Sequence, residues 1–595
     1  MKLNKFLLSA IAAASLTACS DSPEIVNNKG HWNADGTGYV SLSISMPDNV
    51  TSKGGRASNN DDFGKGDDNE YAVNNATLVI FSGDKTAVEA TMTMEAAYEL
   101  PLKFQTTGGN GDQIISTAKI TQKINEIGKA KAKALVILNR PEKLKLSDND
   151  LLFTKEDGTE VSCKGETFAT FQSHALKVDT VAANGFTMTN APLTKGKSST
   201  AKPTTGETTT LADILTDNIK PTAEEAEQNP AATIYVERSV AKVTVGGSNT
   251  GTIQSTYIKY NIAGYDLDNT NTTSYIVRNA DETATKWYAL TSNSSLVSGN
   301  DKYRFIGSKP VEENSSYYRT YWAKDPNYDN NTTAINYNSS TDPHRFVGID
   351  QPRYCMENTF DVEHQTQVNT TRAILRVQMY KDGETPGTTY YMYNNDVNTF
   401  ASKGTNFDTK VIENANKLTA VIAAGKKVAS YTLEDAKDKD GNVINGFKQI
   451  KSVTFTDGTT EEDAVAVFTA IKNYFGNIAV YEQGYAYYPV LIKHFGEDLT
   501  PWNQDEPKNE WEGTRPTAGS LDNIYPLTKR DNNYLGRYGV VRNNWYNINV
   551  NKVLRPGTPV INPPSDTPDD ELESYISVSI NILSWAKRQQ DVDLQ

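Results

Sequence analysis

Near its C-terminal end the chain reads Tyr575-Ile-Ser-Val-Ser-Ile-Asn-Ile-Leu-Ser-Trp585, and this stretch decides the fold class. Its apolar residues alternate with small polar ones, a period of two that predicts a β-strand with one buried face. The apolar positions are Ile576, Val578, Ile580 and Ile582. Burial of these side chains contributes roughly 6–12 kcal/mol before the entropy of ordering the segment is subtracted. Such a strand needs a sheet to join.

A proline-rich segment connects this strand to the rest of the chain. Residues 555–574 carry five prolines and a cluster of acids, which predicts an extended, solvated tether that cannot join a sheet. At about 3.1 Å per residue, the tether reaches on the order of 60 Å. The strand in residues 575–595 can therefore serve another molecule, or it can fold back as the last strand of its own domain. The sequence pattern favours neither of these two roles for the strand.

The composition predicts an all-β protein of two or more domains, with a few short helices. The chain has 595 residues, too many for one core. Its sequence is rich in Thr, Asn, Tyr, Val and Ile, arranged in short alternating runs with few helical patterns. The formal net charge of −14 argues against a nucleic-acid partner, because phosphates require clustered Lys and Arg side chains.

The N-terminal residues have the pattern of an export signal. Two lysines precede an apolar run, residues 6–14, that is too short to cross a bilayer. The next residues, Leu16-Thr-Ala-Cys19, resemble the lipobox of bacterial lipoproteins, in which the cysteine is acylated after cleavage before it. We expect a signal peptide at 1–18 and acyl chains on Cys19 that hold the protein on a membrane surface. The alternative is a plain secretory signal with an incidental cysteine.

A second alternating strand follows the signal, and a polar loop follows that strand. The apolar face of the strand consists of Val40, Leu42, Ile44 and Met46. The loop, residues 48–70, is dominated by Asn, Gly, Asp, Ser and Lys and cannot pack a core. Within it, Arg56 and Ala57 lie among small residues, which makes the bond between them accessible to a trypsin-like protease. Lys53 is an alternative cut site.

Further elements are predicted from apolar periodicity. The patterns indicate strands at 76–81, 132–139, 234–245, 256–262, 273–278, 373–380, 388–393, 484–492 and 542–553. They indicate helices at 120–127, 211–219 and 461–475. The Asn- and Tyr-rich span 279–369 is expected to form long surface loops. Gly246-Gly-Ser248 has the composition of a turn, and we expect the domain boundary there.

No catalytic or cofactor-binding motif is present, so an enzyme, a cofactor and a metal are not expected. The histidines are scattered without metal-ligand spacing. Asp435 to Asn442 approaches a calcium-loop pattern, but its lysines favour a hairpin turn. Cys163 and Cys355 can form one disulfide or stay free; the sequence leaves both open.

Several of these features together resemble one family. They are the lipobox, the alternating strand that follows it, the loop arginine before Ala57, the tether, and four short motifs: Val236-Glu-Arg-Ser-Val-Ala-Lys-Val243, Tyr538-Gly-Val-Val-Arg-Asn-Asn-Trp-Tyr-Asn-Ile-Asn-Val550, Ile582-Leu-Ser-Trp585 and Asp591-Val-Asp-Leu594. The combination is similar to the major subunit of the short (minor) fimbriae of Bacteroidales, the type V pilus fimbrilins. The resemblance covers the chain end to end and is dense at 1–57, 234–245 and 538–595.

The resemblance implies two transthyretin-like β-sandwich domains, residues 57–247 and 248–554. It implies that the precursor reaches the outer membrane as a lipoprotein acylated on Cys19. An Arg-specific protease would then remove residues 19–56 by cutting between Arg56 and Ala57, which releases the strand from Val40 to Met46.

The terminal strand, with Trp585 at its end, would then enter the next subunit as a donor strand. The implied product is an extracellular fimbria that supports adhesion and biofilm. Its implied partners are copies of this chain, anchor and tip subunits, the protease, and host or bacterial surface ligands.

Two rival functions remain open at this stage. The chain can be a monomeric surface lipoprotein that binds glycan or peptide through its Tyr- and Asn-rich loops. It can also be a fimbrial anchor or tip subunit rather than a shaft subunit.

Overall fold

The structure, a computed structural model, describes most of the chain. The described residues are 31–45, 67–102, 117–182, 185–195, 207–253, 256–280, 306–310, 316–329, 337–338, 342, 345–361, 364–494, 535–565 and 576–583. Cys19, Met46, Lys53, Arg56, Ala57 and Trp585 lie outside them. Side chains are not described at residues 576–583.

The protein is all-β with a few short helices, as the sequence predicts. The strands of the first half are β1 (Thr37–Ser45), β2 (Ala76–Gly83), β3 (Thr93–Glu99), β4 (Thr117–Asn125), β5 (Lys131–Leu138), β6 (Leu144–Ser147), β7 (Asp150–Thr154), β8 (Glu160–Ser162), β9 (Ala175–Leu176), β10 (Met188–Asn190), β11 (Leu193–Lys195), β12 (Thr208–Thr209), β13 (Ala212–Asp213), β14 (Ala232–Arg238) and β15 (Val240–Gly247).

The second half continues the series with shorter and longer strands. They are β16 (Thr250–Thr252), β17 (Ile258–Asp268), β18 (Thr270–Asn271), β19 (Ser274–Tyr275), β20 (Ile306–Pro310), β21 (Tyr317–Thr320), β22 (Tyr337–Asn338), β23 (Arg353–Met356), β24 (Arg372–Lys381), β25 (Tyr390–Met392), β26 (Ala401–Ser402), β27 (Val428–Lys437), β28 (Val443–Phe455), β29 (Ile478–Tyr481), β30 (Tyr485–Leu491), β31 (Trp545–Val553) and β32 (Ile576–Leu583).

The described helices are short. The α-helices are α1 (Phe168–Gln172), α2 (Ala223–Gln228), α3 (Pro326–Asp329), α4 (Thr405–Asn416), α5 (Thr419–Ala423) and α6 (Val465–Phe475). Single 3-10 turns occur at Asp68–Tyr71, Glu89–Thr91, Thr216–Asn218, Gln367–Asn369, Val397–Thr399, Glu462–Ala464 and Glu482–Gly484. Within the described residues, no helix has the length and apolar character that crossing a membrane requires.

The first half is built on one eight-stranded sheet. Its order is β3-β2-β5-β10-β14-β1-β4, with β13 beside β5. Side chains from both faces of β2 and β5 are buried, because one face lies on a core around Leu78 and Val136 and the other on a core around Phe81 and Leu135. Burial on both faces explains why these strands read as continuous apolar runs.

The second half contains a β-sandwich. The sheet β23-β15-β31-β32 packs against the sheet β16-β17-β24-β30. The core between them includes Val243 and Ile548 from the first sheet and Tyr260 and Val377 from the second. All four side chains are almost completely buried. The alternating patterns at 256–262, 373–380, 484–492 and 542–553 correspond to β17, β24, β30 and β31, so these strand predictions are confirmed.

The long strand expected at 234–245 is divided at Ser239. Its first part, β14, belongs to the eight-stranded sheet, whereas β15 pairs with β23 and β31 of the sandwich. Ala241 and Val245 accordingly lie in the sandwich core. The change of core therefore falls at Ser239 rather than at the expected 247. Two short pairings, β9 with β19 and β11 with β21, also bring the halves together.

Two helix predictions are wrong. Residues 120–127 lie mostly in β4, where Ala118, Ile120 and Ile124 are buried. Isoleucines four residues apart fit a helix face as well as a strand face, and pairing with β1 along the whole of β4 decides for the strand. Residues 211–219 form β13 and one 3-10 turn. The helix at 461–475 is confirmed as α6, preceded by a 3-10 turn.

The span 279–369 is not simply a set of surface loops, because parts of it are deeply buried. Trp322 and Tyr328 are 0% and 2% exposed, and Trp322 donates its indole N–H to the carbonyl of Phe360 at 3.1 Å. A sequence rich in Asn, Ser and Tyr does not reveal these buried residues, because polar groups can also be buried when hydrogen bonds satisfy them.

A five-stranded sheet, β26-β25-β29-β28-β27, with α4, α5 and α6 forms a separate unit within the second half. Its core includes Phe407, Val411, Ile471 and Phe475, all nearly fully buried. Of these three helices, only α6 is predicted by the periodicity of the sequence. Its β27–β28 hairpin contains the Asp435 to Asn442 segment, which is a turn as expected.

Candidate functional site

The first strand fills a slot inside a sheet. β1 runs parallel to β14 and antiparallel to β4, so it has a neighbour on each side. Leu42 lies opposite Ala232 on β14 and opposite Ile120 on β4. In the described sheet β4 is an edge strand, and it joins the other strands through its pairing with β1. Removal of β1 would therefore leave an open slot with unpaired backbone on both walls.

The side chains of β1 are fully buried on the core face of the sheet and mostly half-buried on the other. Val40, Leu42 and Ile44 are 0% exposed and belong to the core of the first half. On the opposite face Ser41 is also 0% exposed, beneath helix α2. The slot is thus apolar on its core side and, apart from Ser41, partly open to solvent on the other.

Backbone hydrogen bonds extend the contact of β1 beyond its two ladders. Tyr39 and Lys220 exchange N–H···O bonds of 2.8 and 3.0 Å, and the amide of Ala231 donates to the carbonyl of Ser41 at 2.7 Å. These bonds tie β1 to the segment that leads into β14. A strand that replaces β1 would have to satisfy the same groups.

Both ends of the connection that carries Arg56 are fixed on β14. Ser45, the last residue of β1, lies opposite Tyr235. At the other end, the carbonyl of Glu70 accepts a 3.0 Å bond from Nε of Arg238. Tyr235 and Arg238 are three positions apart on one strand, a separation of about 10 Å. Ser45 and Glu70, which precede and follow this connection, therefore both contact β14.

The residues after this connection are anchored by a buried charge cluster. Glu70 is 0% exposed; its Oε1 atom lies 2.5 Å from Nζ of Lys242 and accepts a 2.5 Å bond from the hydroxyl of Tyr354. Its Oε2 atom accepts from the amide of Asp67 at 3.0 Å. Burial, together with the nearby Glu70, raises the pKa of Tyr354, which keeps the phenol a donor. No sequence motif signalled this cluster.

The terminal strand lies at the edge of the sandwich. β32 pairs antiparallel with β31, and the described part of its sheet gives it no second neighbour. The alternating apolar positions Ile576, Val578, Ile580 and Ile582 lie opposite Val553, Val550, Ile548 and Tyr546, residues whose side chains are in the sandwich core. This is the fold-back arrangement, one of the two alternatives that the sequence left open.

The two halves repeat the same order of strand directions around β1 and β31. In the first half β14 is antiparallel to β10 and parallel to β1, which is antiparallel to β4. In the second half β15 is antiparallel to β23 and parallel to β31, which is antiparallel to β32. β1 therefore occupies in its sheet the place that β31 occupies in the sandwich.

The first part of the tether is docked, which corrects the expectation of a wholly solvated segment. Thr558 and Tyr487 exchange backbone hydrogen bonds of 2.8 and 3.1 Å. The carbonyl of Asn562 accepts a 2.6 Å bond from Arg372, and Ile561 is only 7% exposed. Gly557 permits the approach, since a Cβ there would lie 2.6 Å from the carbonyl oxygen of Tyr487. Thr558 can pair because it has a backbone N–H, which the prolines at 556 and 559 lack.

Both described cysteines are free and buried, one in each half of the protein. Cys163 lies in the core around Phe81, and Cys355 lies in the sandwich core. They do not form the disulfide that the sequence left open. Among the described residues, one group could hold a metal ion: Cys163, Glu166 and His174.

The comparison with protein families assigns the end of the chain. Residues 524–591 match the family described as Major fimbrial subunit protein type IV, Fimbrillin, C-terminal. The end of the chain is thus similar to the C-terminal part of a fimbrial subunit. The matched segment contains β31, the tether and β32, which confirms the resemblance found in the sequence.

Solved structures similar to this chain include three from Parabacteroides distasonis and Porphyromonas gingivalis. A proposed cell adhesion protein from Parabacteroides distasonis ATCC 8503 is 12% identical, with 93% of this chain and 98% of that chain covered and a TM-score of 0.33. A fimbrial assembly protein from the same strain is 12% identical, with 70% and 98% covered and a TM-score of 0.27.

The third is the tip fimbrial protein Mfa3 from Porphyromonas gingivalis with C-terminal truncation. It is 11% identical, with 91% and 99% covered and a TM-score of 0.25. Because the sequence identities and TM-scores are this low, these three structures add nothing to the match of the C-terminal segment. Comparison with curated proteins gave no match.

Proposed function

We propose that this protein is a fimbrial shaft subunit that polymerises head-to-tail by strand exchange. In this proposal the precursor is exported as a lipoprotein acylated on Cys19 and is cut between Arg56 and Ala57. The released strand β1 leaves its slot, and the terminal strand of another copy takes its place. A head-to-tail contact of this kind does not close on itself, so a filament grows.

The observation that carries the proposal is the unequal pairing of the two strands. β1 lies between two neighbours, whereas β32 has one described neighbour at a sheet edge. A strand that moves from a one-sided edge into a two-sided slot gains a second ladder of backbone hydrogen bonds and a second wall of side chains. The exchange is therefore favourable once β1 has left.

The position of Arg56 supports cleavage as the trigger. The bond after Arg56 falls between Ser45 and Glu70, two residues that each contact β14. Cutting there separates β1 from the chain without disturbing Glu70, whose contacts hold the new N-terminal segment. We therefore propose cleavage after Arg56, with Lys53 as the alternative site.

The test compares the chain that starts at Ala57 with the same chain lacking residues 571–595. We expect filaments by electron microscopy and heat-resistant ladders on gels only when the tail is present. A synthetic peptide of residues 574–586 should bind the tail-less chain, whereas a peptide with Ser at 576, 578, 580 and 582 should not. Monomers from both chains, together with no peptide binding, would refute strand exchange.

A second candidate function is a monomeric surface lipoprotein that binds glycan or peptide. The observation that favours it is the pairing of β32 with β31 of its own chain. In that case deletion of residues 571–595 should lower the melting temperature of the monomer. A shaft subunit should lose polymerisation and keep most of its stability, because β31 retains β15 on its other side. An anchor or tip role would appear as capping of filaments rather than growth.

A further inference from the structure

A cluster of three possible metal ligands lies beside the core around Phe81, on the face of the eight-stranded sheet opposite the core that contains Leu42. Cys163 follows β8, Glu166 ends the next turn, and His174 follows helix α1. Their ligand atoms Sγ, carboxylate oxygen and imidazole nitrogen all lie within 4.8 Å of one another. The sequence showed no metal-ligand spacing, because the helix separates His174 from the other two residues.

The fold holds each of the three residues in place without a metal. The amide of Cys163 donates to Leu151 at 2.8 Å, and the amide of Glu166 donates to the carbonyl of Cys163 at 3.0 Å. Gly165 takes a φ of 84° in this turn, which permits the sharp reversal that brings the two side chains together. The turn is therefore built independently of any ion.

The imidazole of His174 is oriented by aromatic packing. It stacks on the ring of Phe153 at 4.3 Å between centroids and meets Phe171 edge-on at 5.9 Å. This packing directs Nε2 towards Glu166, whose Oε2 atom lies 2.9 Å away. The two side chains are 17% and 19% exposed, so an ion can reach them from solvent while Cys163 stays fully buried.

We propose that Cys163, Glu166 and His174 form a binding site for a divalent zinc-type ion. Thiolate, imidazole and carboxylate are the ligands that Zn²⁺ takes in proteins, at about 2.0 to 2.3 Å. A tetrahedral arrangement places neighbouring ligand atoms roughly 3.3 to 3.6 Å apart, so the nitrogen–oxygen contact has to open by a few tenths of an ångström. A water molecule would fill the fourth position.

The charge balance of the site fits a dication. When Zn²⁺ binds, the Cys163 thiol releases its proton to solvent and a sulfur–zinc bond forms. One thiolate and one carboxylate then neutralise the ion, and His174 binds as neutral imidazole. A neutral complex suits a half-buried position far better than an isolated charge would. The bound ion would join the β7–β8 hairpin to helix α1 and stabilise this side of the fold.

Hydrogen bonds to Asp150 support the turn that carries the thiol. Asp150 on β7 accepts a 3.0 Å bond from the amide of Lys164 and a 2.5 Å bond from the hydroxyl of Ser162. These bonds fix the residues on both sides of Cys163. Such outer contacts orient metal ligands in known sites.

The experiment is a titration of the full chain with Co²⁺, followed by displacement with Zn²⁺. All samples carry Cys19→Ser, so that this residue contributes no thiolate. We expect one equivalent of Co²⁺ to produce d–d absorption and a thiolate-to-cobalt charge-transfer band, and Zn²⁺ to remove both. Zn²⁺ should also raise the melting temperature, since it binds the folded chain preferentially.

The matched control is Cys355→Ser, which removes the other buried thiol and should leave the charge-transfer band unchanged. Cys163→Ser should abolish the band. His174→Phe keeps a ring against Phe153 and should lower the affinity by about tenfold or more. Near-ultraviolet circular dichroism checks that each variant is folded, and Glu166→Gln replaces any variant that is not.

The proposal fails if the parent shows no charge-transfer band, or if Cys163→Ser shows the same band. It is independent of strand exchange, because the ladder assay on the chain from Ala57 does not require the ion.

Discussion

Single residues at the junction of the two halves decide how the protein is held together. Glu70 has no exposed surface and contacts Lys242 of β15 and Tyr354 of β23, both from the sandwich. A buried ion pair contributes little net stability compared with apolar residues, but removal of one partner leaves an uncompensated charge. The cluster therefore acts as a fixed point for the segment that follows the proposed cut.

We predict that Lys242→Met destabilises the folded chain by about 3–5 kcal/mol, because it leaves the Glu70 carboxylate buried without its cation. The double variant Glu70→Leu with Lys242→Met should recover much of this loss. Urea unfolding of the two single variants and the double variant measures the coupling. Lys448→Met, which removes a solvent-accessible pair with Asp435, is the control and should change little. Equal losses for both lysines would contradict the prediction.

The thiol of Cys355 should be inert in the folded protein. It is 2% exposed, and burial raises its pKa to about 12. In the double variant Cys19→Ser with Cys163→Ser, Ellman's reagent should react with it only after denaturation. As pH rises from about 9 to about 12, the unfolded chain releases this proton while the folded chain keeps it, so the stability falls. Cys355→Ser should weaken that pH dependence; rapid labelling of the folded protein would refute the burial.

At the level of elements, the docked part of the tether limits the reach of the terminal strand. The backbone is fixed as far as Asn562 by Arg372. The hydroxyl of Ser565 also donates to Oε1 of Gln367 at 3.4 Å. Residues 566–574 would span about 28 Å if extended, compared with about 60 Å for a wholly free segment. The docking therefore restricts where on a neighbouring subunit the strand can bind.

We predict that Gly557→Ala releases this docked segment. The added Cβ would lie 2.6 Å from the carbonyl of Tyr487, so the pairing of Thr558 with Tyr487 should open. Hydrogen exchange at both of these amides should rise by an order of magnitude or more. Gly128→Ala is the control, because a Cβ there meets no atom within 4 Å. Unchanged protection in the Gly557 variant would show that the backbone adapts without undocking.

At the level of the whole molecule, a second buried charge cluster links the eight-stranded sheet to the sandwich. Nε of Arg278 lies 3.0 Å from Glu237 on β14 and 3.6 Å from Glu357, which follows β23. Glu357 in turn pairs with Arg542 at 2.9 Å, just before β31. The buried carboxylates and guanidinium groups of this cluster therefore find their partners only when both halves are folded together.

We predict that Arg278→Met lowers the free energy of unfolding by about 3–5 kcal/mol, because two buried carboxylates lose a shared cation. Scanning calorimetry should show a lower melting temperature and a broader transition, as the halves unfold less cooperatively. Arg140→Met is the control; its partner Glu99 is half exposed and both residues lie within the first half. A comparable loss in that variant would mean that the cluster does not couple the halves.

The sequence by itself determined the strands with strong period-two patterns, since alternation depends only on which face of a local strand is apolar. It determined β1, β17, β24, β31 and β32, the fold class, and the fimbrial resemblance. It failed at residues 120–127, where isoleucines at a spacing of four satisfied a helix and a strand equally.

Only the tertiary structure decided which strands became neighbours. It placed β1 between β14 and β4, divided one continuous strand at Ser239 between two cores, docked half of the tether, and brought Glu70 to Lys242. These outcomes depend on pairings between residues far apart in the chain, whose free energy comes from burial and hydrogen bonds that no local window contains. A local pattern can specify a strand, but its partner is chosen by the whole fold.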